Sequence, residues 1–197
     1  MPYLNFESLA AKEKLGKDYA IEFSNRNSQV AFMAIHGGNI EPYTSEIAQY
    51  LAGEEYSFYT FKGLKKSGNN ILHLSSNKFN EFQAVTLAHS TYLVVTIHGM
   101  KGKHDKVVIG GLNNKIINLL VTELNKNNFS TETTTNYPHL VGTLASNICN
   151  QCITNQGVQI EISLGLRKKL MADTKLLDKF KNIILASVIL SPSEGSN

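Results

Sequence analysis

Two periods of apolar residues alternate along the chain, one typical of strands and the other typical of helices. Alternating or continuous apolar runs predict strands at residues 19–24, 29–35, 56–62, 70–74, 92–98, 107–109 and 158–162. Apolar residues at helical spacing predict helices at residues 44–51, 81–89, 113–125 and 174–187. Strands that alternate with helices indicate an α/β fold, and we expect a three-layer α/β/α domain with a mixed, mostly parallel open sheet.

Particular residues mark the ends of these predicted elements. The nearly continuous apolar run at residues 29–35 indicates a strand that is buried on both faces. Thr44 is placed to cap the helix that follows, and Gly53 is placed to end it. The Asn-, Thr- and Lys-rich residues 125–136 are interpreted as a surface connection, and residues 191–197 as a disordered tail.

Length and composition predict one ordinary globular domain. The 197 residues are 42% hydrophobic and 18% charged, so we expect a single domain over residues 1–197. A net charge of +3 is too small to indicate a nucleic-acid partner. The apolar stretch at residues 183–190 is far shorter than the about 20 residues that a membrane-spanning helix needs. Residues 1–17 lack the apolar core of a signal peptide, so we expect a soluble protein made in the cytoplasm.

The two cysteines, Cys149 and Cys152, have the Cys-x-x-Cys spacing that occurs in redox and zinc sites. A structural zinc site needs two further Cys or His ligands at a similar short spacing, and the sequence has no second cysteine pair. We therefore assign the pair no metal role, and a redox role is the minor alternative.

Two histidines follow predicted apolar strands. His36 and His98 both end such a strand, and ligands in open α/β sheets bind beyond the carboxyl ends of strands. Two glycines after His36 allow a sharp turn that brings Glu41 back toward the histidine. Two imidazoles and a carboxylate are a ligand set of catalytic zinc, so we predict one zinc ion here. In the alternative interpretation each histidine forms a hydrogen bond within its loop, and Glu41 begins a helix, where the helix dipole favours an acid.

Five further residues carry candidate chemistry. Glu161 is an acid inside a predicted apolar strand, which suits a general base, although it could instead occupy the solvent side of that strand. Arg167 has a guanidinium group suited to binding a carboxylate, and the alternative is an ordinary surface arginine. His73 is interpreted as a structural histidine or one that supports a metal ligand. Lys101 and Lys103 lie in a glycine-containing loop and either meet an acidic substrate or form a solvated basic face.

The motifs that carry these residues resemble those of the poly-γ-glutamate hydrolase family of phages and bacilli. The resemblance runs from residue 30 to residue 167. It includes residues 34–41 (Ala-Ile-His-Gly-Gly-Asn-Ile-Glu), 44–48, 72–76, 97–99, 110–111, 147–150 and 157–162. Several motifs in the same order over most of one domain identify a family more specifically than any single motif does.

The resemblance implies a monomeric protein with a fold similar to that of zinc carboxypeptidases. It implies one zinc ion on His36, Glu41 and His98, with Glu161 as the catalytic glutamate. The implied reaction is hydrolysis of the γ-glutamyl amide bonds of poly-γ-glutamate, an anionic polymer of bacterial capsules. It also implies that the protein acts outside the cell after phage-induced lysis.

Substrate binding is the point at which this chain departs from the resemblance. The family is expected to have Asn followed by Arg where this chain has Asn150 and Gln151. We predict that these two residues contact the substrate together with Arg167, Lys101 and Lys103. Two alternatives stay open: a zinc amidase that acts on another γ-glutamyl or peptidoglycan amide, and a zinc-containing module that binds an anionic polymer without cutting it.

Overall fold

The computed structural model describes residues 3–189, and the tail predicted at residues 191–197 lies outside them. In the described part, seven strands form one sheet: β1 Tyr19–Ser24, β2 Val30–Gly38, β3 Ser57–Gly63, β4 Leu93–Met100, β5 Val107–Gly111, β6 Thr131–Thr133 and β7 Val158–Ser163. The α-helices there are α1 Phe6–Ala10, α2 Thr44–Ala52, α3 Phe82–Ser90, α4 Asn114–Lys126, α5 Leu164–Ala172 and α6 Thr174–Ile189. Short 3-10 helices occupy Asn69–Leu72, Thr134–Asn136 and Ile148–Gln151.

The strands lie in the order β1-β3-β2-β4-β7-β5-β6. Four pairs of neighbouring strands are parallel: β3 with β2, β2 with β4, β4 with β7 and β5 with β6. Only β1 with β3 and β7 with β5 are antiparallel within residues 3–189. The predicted mixed, mostly parallel sheet is therefore confirmed.

Helices cover both faces of this sheet. On the first face, α2, α4, α5 and α6 pack against alternate strand residues such as Phe32, Val95 and Ile160. On the second face, α1 and α3 pack against the intervening residues, among them Met33 and Val94. Each large aliphatic side chain buried in this way stabilises the fold by about 1.5–3 kcal/mol. The three-layer prediction is confirmed, and no helix within residues 3–189 has the length and apolar character needed to span a membrane.

The second face changes from apolar to polar toward the carboxyl ends of β4 and β7. Val94 is followed on that face by Thr96 and then His98, because alternate residues of a strand share a face. The register of the two strands places Gln159 beside Thr96 and Glu161 beside His98. All four polar side chains are buried, so this end of the sheet carries a polar layer inside the protein.

Strand β2 carries one extra residue near its carboxyl end. Ala34 pairs with Thr60 but Gly37 pairs with Lys62, so three steps along β2 match two steps along β3. An extra residue of this kind interrupts the alternation of side chains and re-aims a residue. Here the interruption coincides with His36, whose ring points toward the polar end of the second face.

The predicted strand and helix positions agree with the structure for most of the chain, and two local predictions are wrong. Thr44 is not an N-cap, because Tyr43 occupies that position at φ 76° and the Thr44 hydroxyl donates to the Glu41 carbonyl oxygen at 2.9 Å. Residues 70–74 are not a strand. A 3-10 helix begins after Gly68, whose φ of 76° turns the chain away from an extended path.

Besides the short 3-10 helices, two α-helices and one strand of the described residues were not predicted from the sequence. Helix α1 is short and α5 has a weak apolar stripe, so neither shows clear helical periodicity. The segment at residues 125–136 is more than the predicted connection, because β6 lies within it and pairs with β5. A strand of three residues is too short for its own alternation to identify it.

Candidate metal centre

Three potential metal ligands meet where β2 and β4 end. The Nδ1 atoms of His36 and His98 lie 3.1 Å apart. Glu41 Oε1 lies 3.2 Å from His36 Nδ1, and Glu41 Oε2 lies 3.8 Å from His98 Nδ1. One ligand atom from each residue therefore lies within 4.8 Å of the other two.

The loop between β2 and α2 carries Glu41 back to the histidines. The Glu41 backbone N–H donates to the His36 carbonyl oxygen at 2.8 Å, and the Gly99 N–H donates to Glu41 Oε2 at 2.7 Å. Gly38 has a φ of 60°, and a Cβ at this position would lie 2.6 Å from the carbonyl oxygen of Gly63. The sharp turn expected from the glycine pair is present, and it depends on glycine at this position.

Hydrogen bonding determines which nitrogen of His36 faces the centre. Its Nε2 lies 2.6 Å from the Leu74 carbonyl oxygen, which only accepts hydrogen bonds. Nε2 therefore donates this hydrogen bond, and Nδ1 faces Glu41 and His98. Such bonds orient the histidines that bind metals in proteins. His98 likewise presents Nδ1, while its buried Nε2 has no hydrogen-bond partner within the described residues.

Burial has the largest influence on the charge of these groups. Burial, together with the neighbouring His36, lowers the pKa of His98 to about 3, so His98 is neutral at pH 7. Burial raises the pKa of Glu41, but the adjacent histidines outweigh this effect and hold that pKa well below its usual range. The centre therefore offers an uncharged imidazole nitrogen and a carboxylate oxygen.

The donor set fits one zinc ion in both chemistry and spacing. Zinc binds imidazole nitrogen and carboxylate oxygen at about 2.0–2.2 Å in a tetrahedral arrangement, which places neighbouring donors roughly 3.3 Å apart. The separations of 3.1 Å between the two Nδ1 atoms and 3.2 Å between His36 Nδ1 and Glu41 Oε1 are close to that value, and the other Glu41 oxygen lies 3.8 Å from His98 Nδ1. Catalytic zinc sites use three protein ligands and leave the fourth position for water or substrate.

Glu161 lies beside His98 on the neighbouring strand. Gln159 Nε2 donates to Glu161 Oε1 at 3.1 Å, and Gln159 Oε1 accepts a bond from Asn147 Nδ2 at 3.0 Å. Burial and the nearby charge of Glu41 together raise the pKa of Glu161 to about 8. The side chain is buried, so the alternative that Glu161 faces solvent is wrong.

His73 covers part of the centre. Its ring stacks on the ring of His36 with the centroids 3.7 Å apart, and its Nε2 lies 3.3 Å from Glu41 Oε1. The His73 side chain is 40% exposed, whereas those of His36 and His98 are each 3% exposed. These contacts agree with the interpretation of His73 as a residue that supports a metal ligand.

The side chains of two predicted substrate-binding residues point into the interior of the protein. Arg167 is 3% exposed, and its guanidinium donates to three backbone carbonyl oxygens, so it is neither a surface arginine nor a free carboxylate ligand. The Asn150 amide donates to the carbonyl oxygens of Gly142 and Leu144 at 2.7 and 2.9 Å and accepts from the Gly157 N–H. The polar groups of both side chains bind the backbone, and direct substrate contact by either one stays a prediction.

The other three predicted substrate contacts lie nearer the surface. The Gln151 side chain donates to a backbone carbonyl oxygen at 2.9 Å. Lys101 and Lys103 are exposed in the loop after β4, and neither forms an ion pair with another residue in the described range 3–189. Lys106 in the same loop differs, because it pairs with Glu132 at 2.7 Å. Lys101 and Lys103 therefore carry positive charge that an anionic ligand can approach.

Cys149 and Cys152 are buried free thiols that belong to the core of the second face. Burial raises the pKa of Cys149 far above its ordinary value. A buried thiol that stays protonated is a poor nucleophile and a poor metal ligand. The packing therefore supports a structural role for the pair.

Two surface grooves lie away from this centre. One lies between α4 and α6 and includes Glu123 and Lys179, and the other lies beside β1 and α2 and includes Arg26 and Lys181. Neither contains a predicted site residue. The donor set, rather than the size of a cavity, identifies the candidate site.

Comparisons with known proteins agree with the resemblance seen in the sequence. The family model for poly-gamma-glutamate hydrolase matches residues 3–184. Two relatives from Bacillus subtilis (strain 168), the UPF0714 proteins YmaC and YndL, are each 37% identical to the chain, over 172 and 169 residues. These matches cover 87% and 85% of this chain, but 72% of YmaC and 66% of YndL.

Solved structures with the same fold extend this agreement to three dimensions. A bacteriophage poly-gamma-glutamate hydrolase is 30% identical with a TM-score of 0.89, and the match covers 96% of this chain and 97% of that one. A zinc-free form of YndL is 32% identical with a TM-score of 0.89, covering 96% of this chain and 98% of that one. An N-acetylmuramoyl-L-alanine amidase from Clostridium difficile 630, at 14% identity and a TM-score of 0.53, shares the fold alone over 86% of this chain and 100% of that one.

The family match covers nearly all of the residues that the structure describes. Relatives at 37% identity and structures with TM-scores of 0.89 agree with it. The chain therefore belongs to the poly-γ-glutamate hydrolase family.

Proposed function

We propose that this protein is a zinc-dependent hydrolase that cleaves the γ-glutamyl amide bonds of poly-γ-glutamate. The observation that carries the proposal is the meeting of His36, Glu41 and His98 within 4.8 Å, in a chain whose family is that of the poly-γ-glutamate hydrolases. His36, Glu41 and His98 would hold the ion. Zinc held there would supply Lewis acidity, which activates a water molecule and polarises an amide carbonyl.

Glu161 is the residue to which we assign proton transfer. It would take a proton from the attacking water and deliver it to the nitrogen of the leaving amine, so that one C–N bond breaks as one C–O bond forms. A pKa raised to about 8 by burial and by the charge of Glu41 suits a group that must both accept and release a proton near neutral pH. Gln159 supports this role, because its amide donates to Glu161 Oε1 and limits the orientation of the carboxylate.

The charge of the substrate matches the exposed lysines near the centre. Each unit of poly-γ-glutamate keeps a free α-carboxylate, so the polymer is an anion at neutral pH. Lys101 and Lys103 follow the strand that carries His98, and they have no ion-pair partner among residues 3–189. We expect them to attract the polymer, with binding that weakens as salt screens the charges. Gln151 has no charge with which to replace the arginine expected beside Asn150.

The biological setting is a further part of the proposal. We propose that the protein acts on capsule polymer, outside the cell and after phage-induced lysis, and the similarity to a bacteriophage poly-gamma-glutamate hydrolase supports only the choice of polymer. A single polymer chain requires only one copy of the centre, and we propose that the protein acts as a monomer. Sedimentation of the purified protein would test the monomer, which a stable dimer would contradict.

A paired measurement of metal content and polymer length tests the central proposal. Purified protein would be analysed for zinc and incubated with poly-γ-glutamate, with and without a chelator, while polymer length is followed on a gel. His98→Ala removes one proposed ligand, and His89→Ala is the matched control because His89 is exposed on α3. We expect zinc and cleavage to be lost in His98→Ala and by chelation, and to be kept in His89→Ala.

Each other outcome points to a specific alternative. Zinc-loaded protein that leaves the polymer intact but cleaves a peptidoglycan amide would identify an amidase of different specificity. Zinc-loaded protein that binds the polymer without shortening it would identify a binding module. Full zinc content in His98→Ala would remove His98 from the ligand set.

A further inference from the structure

A single buried arginine connects the backbone segments of the candidate centre. Arg167 lies in the first turns of α5 and is 3% exposed. Its Nε donates to the Ile162 carbonyl oxygen at 3.0 Å, and one Nη2 hydrogen bond reaches the Met100 carbonyl oxygen at 3.3 Å. Its Nη1 donates to the carbonyl oxygen of Pro42. The guanidinium therefore bonds to three segments that are far apart in the sequence.

Each of these segments carries one residue of the proposed mechanism. Pro42 follows Glu41 directly, and Ile162 follows Glu161 directly. The Met100 carbonyl lies two residues beyond His98 on the same strand. One planar group thus fixes the spacing between the segments that bear two proposed ligands and the proposed proton-transfer group.

The packing around Arg167 leaves little freedom for the guanidinium. A Cβ added to Gly99 would lie 2.5 Å from Arg167 Cζ, so the guanidinium lies against the backbone beside His98. The base of the side chain is held as well, because the Ser163 side chain accepts the Leu166 N–H and caps α5. Because both ends of the arginine side chain are held, its hydrogen bonds restrict the positions of the backbone carbonyl groups that accept them.

We infer that Arg167 is a positioning residue that holds Glu41, His98 and Glu161 in register for metal binding and proton transfer. The inference rests on the proposed function. It differs from a substrate-binding role, because the guanidinium is buried and its hydrogen bonds go to the backbone. Only arginine presents donors in a planar fork, so lysine retains the charge but cannot make the same three bonds.

Two Arg167 variants and one control separate these roles. Arg167→Lys keeps the charge and most of the buried stem, whereas Arg167→Met removes the charge and every hydrogen bond. Lys168→Met is the control, because it removes the same charge from the adjacent exposed residue. If Arg167→Met does not fold, the measurements on Arg167→Lys alone test the inference.

Three readouts are needed, and two of them do not depend on activity. Zinc affinity would be measured by competition with a coloured chelator, and ligand geometry by the visible absorption of the cobalt-substituted protein. We expect Arg167→Lys to weaken zinc binding by about tenfold or more, as loss of groups that orient metal ligands does. Its cobalt spectrum should change. With polymer as substrate, kcat should fall while KM stays within about twofold.

Two results would overturn the inference. A raised KM with unchanged zinc affinity and cobalt spectrum would show that Arg167 binds substrate. A lower melting temperature as the only change would show a purely structural role. If the unaltered protein binds zinc but does not cut the polymer, the proposed function fails, while zinc affinity and the cobalt spectrum still test the role of Arg167.

Discussion

The two faces of β4 and β7 are equally buried, but they serve different purposes. On the first face, Val95 and Ile97 of β4 meet Ile160 of β7 in a core of apolar side chains. On the second face, His98 and Glu161 lie side by side, at 2% and 5% exposure. Exposure does not distinguish the two faces. The difference lies in what each buried group contacts.

That difference shows how a buried polar layer is tolerated. An apolar side chain gains free energy from leaving water, whereas a polar side chain loses free energy unless it finds a partner. On the second face Gln159 bonds both Glu161 and Asn147, and Glu41 accepts the Gly99 N–H. If the polar face provides function and the apolar face provides stability, substitutions on the two faces should have different effects.

The largest expected effect is that of Glu161→Gln on the polar face. The amide has the shape of the carboxylate but cannot accept the proton of the attacking water, so kcat should fall by about 10²–10⁴-fold. Zinc content should be unchanged, because Glu161 is not in the proposed ligand set. Polymer cleavage and metal analysis on the same preparation measure both effects. Full activity in this variant would remove Glu161 from its assigned role.

The neighbouring residue on the opposite face gives the matched contrast. Ile160→Ala should lower the free energy of unfolding by about 2–5 kcal/mol, because it leaves a cavity in the core of the first face. Zinc content and kcat should stay close to those of the unaltered protein at temperatures where the variant is folded. Urea unfolding gives the stability change. Loss of zinc from the folded variant would contradict the separation of the two faces.

A smaller effect is expected for Gln159→Met. Methionine preserves the length of the side chain but removes the amide that donates to Glu161 Oε1. A hydrogen bond to a charged group is worth about 1.5–3 kcal/mol, so kcat should fall by about tenfold or more. Steady-state kinetics measures the change, with zinc content as the control. Unchanged kcat would show that Glu161 does not depend on Gln159 for its orientation.

The smallest expected effect is that of His73→Phe. The phenyl ring preserves stacking on His36, and only the contact between Nε2 and Glu41 Oε1 is lost. Because the other contacts of Glu41 remain, zinc affinity should weaken by less than about tenfold. Competition with a chelator measures this change. A complete loss of zinc would instead make His73 essential to the centre.

The sequence predicted the layers of the fold because each buried strand and helix leaves a periodic pattern. The run at residues 29–35 corresponds to the buried part of β2, and the helix predicted at residues 44–51 corresponds to α2. Elements without their own pattern were missed. Helix α5 begins directly after β7, so no loop separates the two elements. Its apolar stripe is weak, and the helix therefore lacks a clear period in the sequence.

The candidate ligands could also be predicted from the sequence. A histidine at the carboxyl end of a buried strand lies where ligands bind in open α/β sheets. His36, Glu41 and His98 could be named before the structure was known, and the structure brings them together. The guanidinium of Arg167 suits a carboxylate, and the family resemblance points to Asn150, so the sequence predicts substrate contact for both. Their contacts with distant backbone carbonyls are absent from any local pattern.

The sequence by itself therefore determined the three-layer α/β fold, the candidate ligands and the family. Short-range periodicity is sufficient for the fold class, and residue type at the ends of buried strands is sufficient for the candidate ligands. The family follows from the order of the motifs along the chain. Only the tertiary structure decided that Arg167 faces inward, that Glu161 is buried beside His98, and that Lys101 and Lys103 have no ion pair within the described range. These depend on distances between residues remote in the chain, which are fixed when the sheet register and the bulge in β2 bring the segments together.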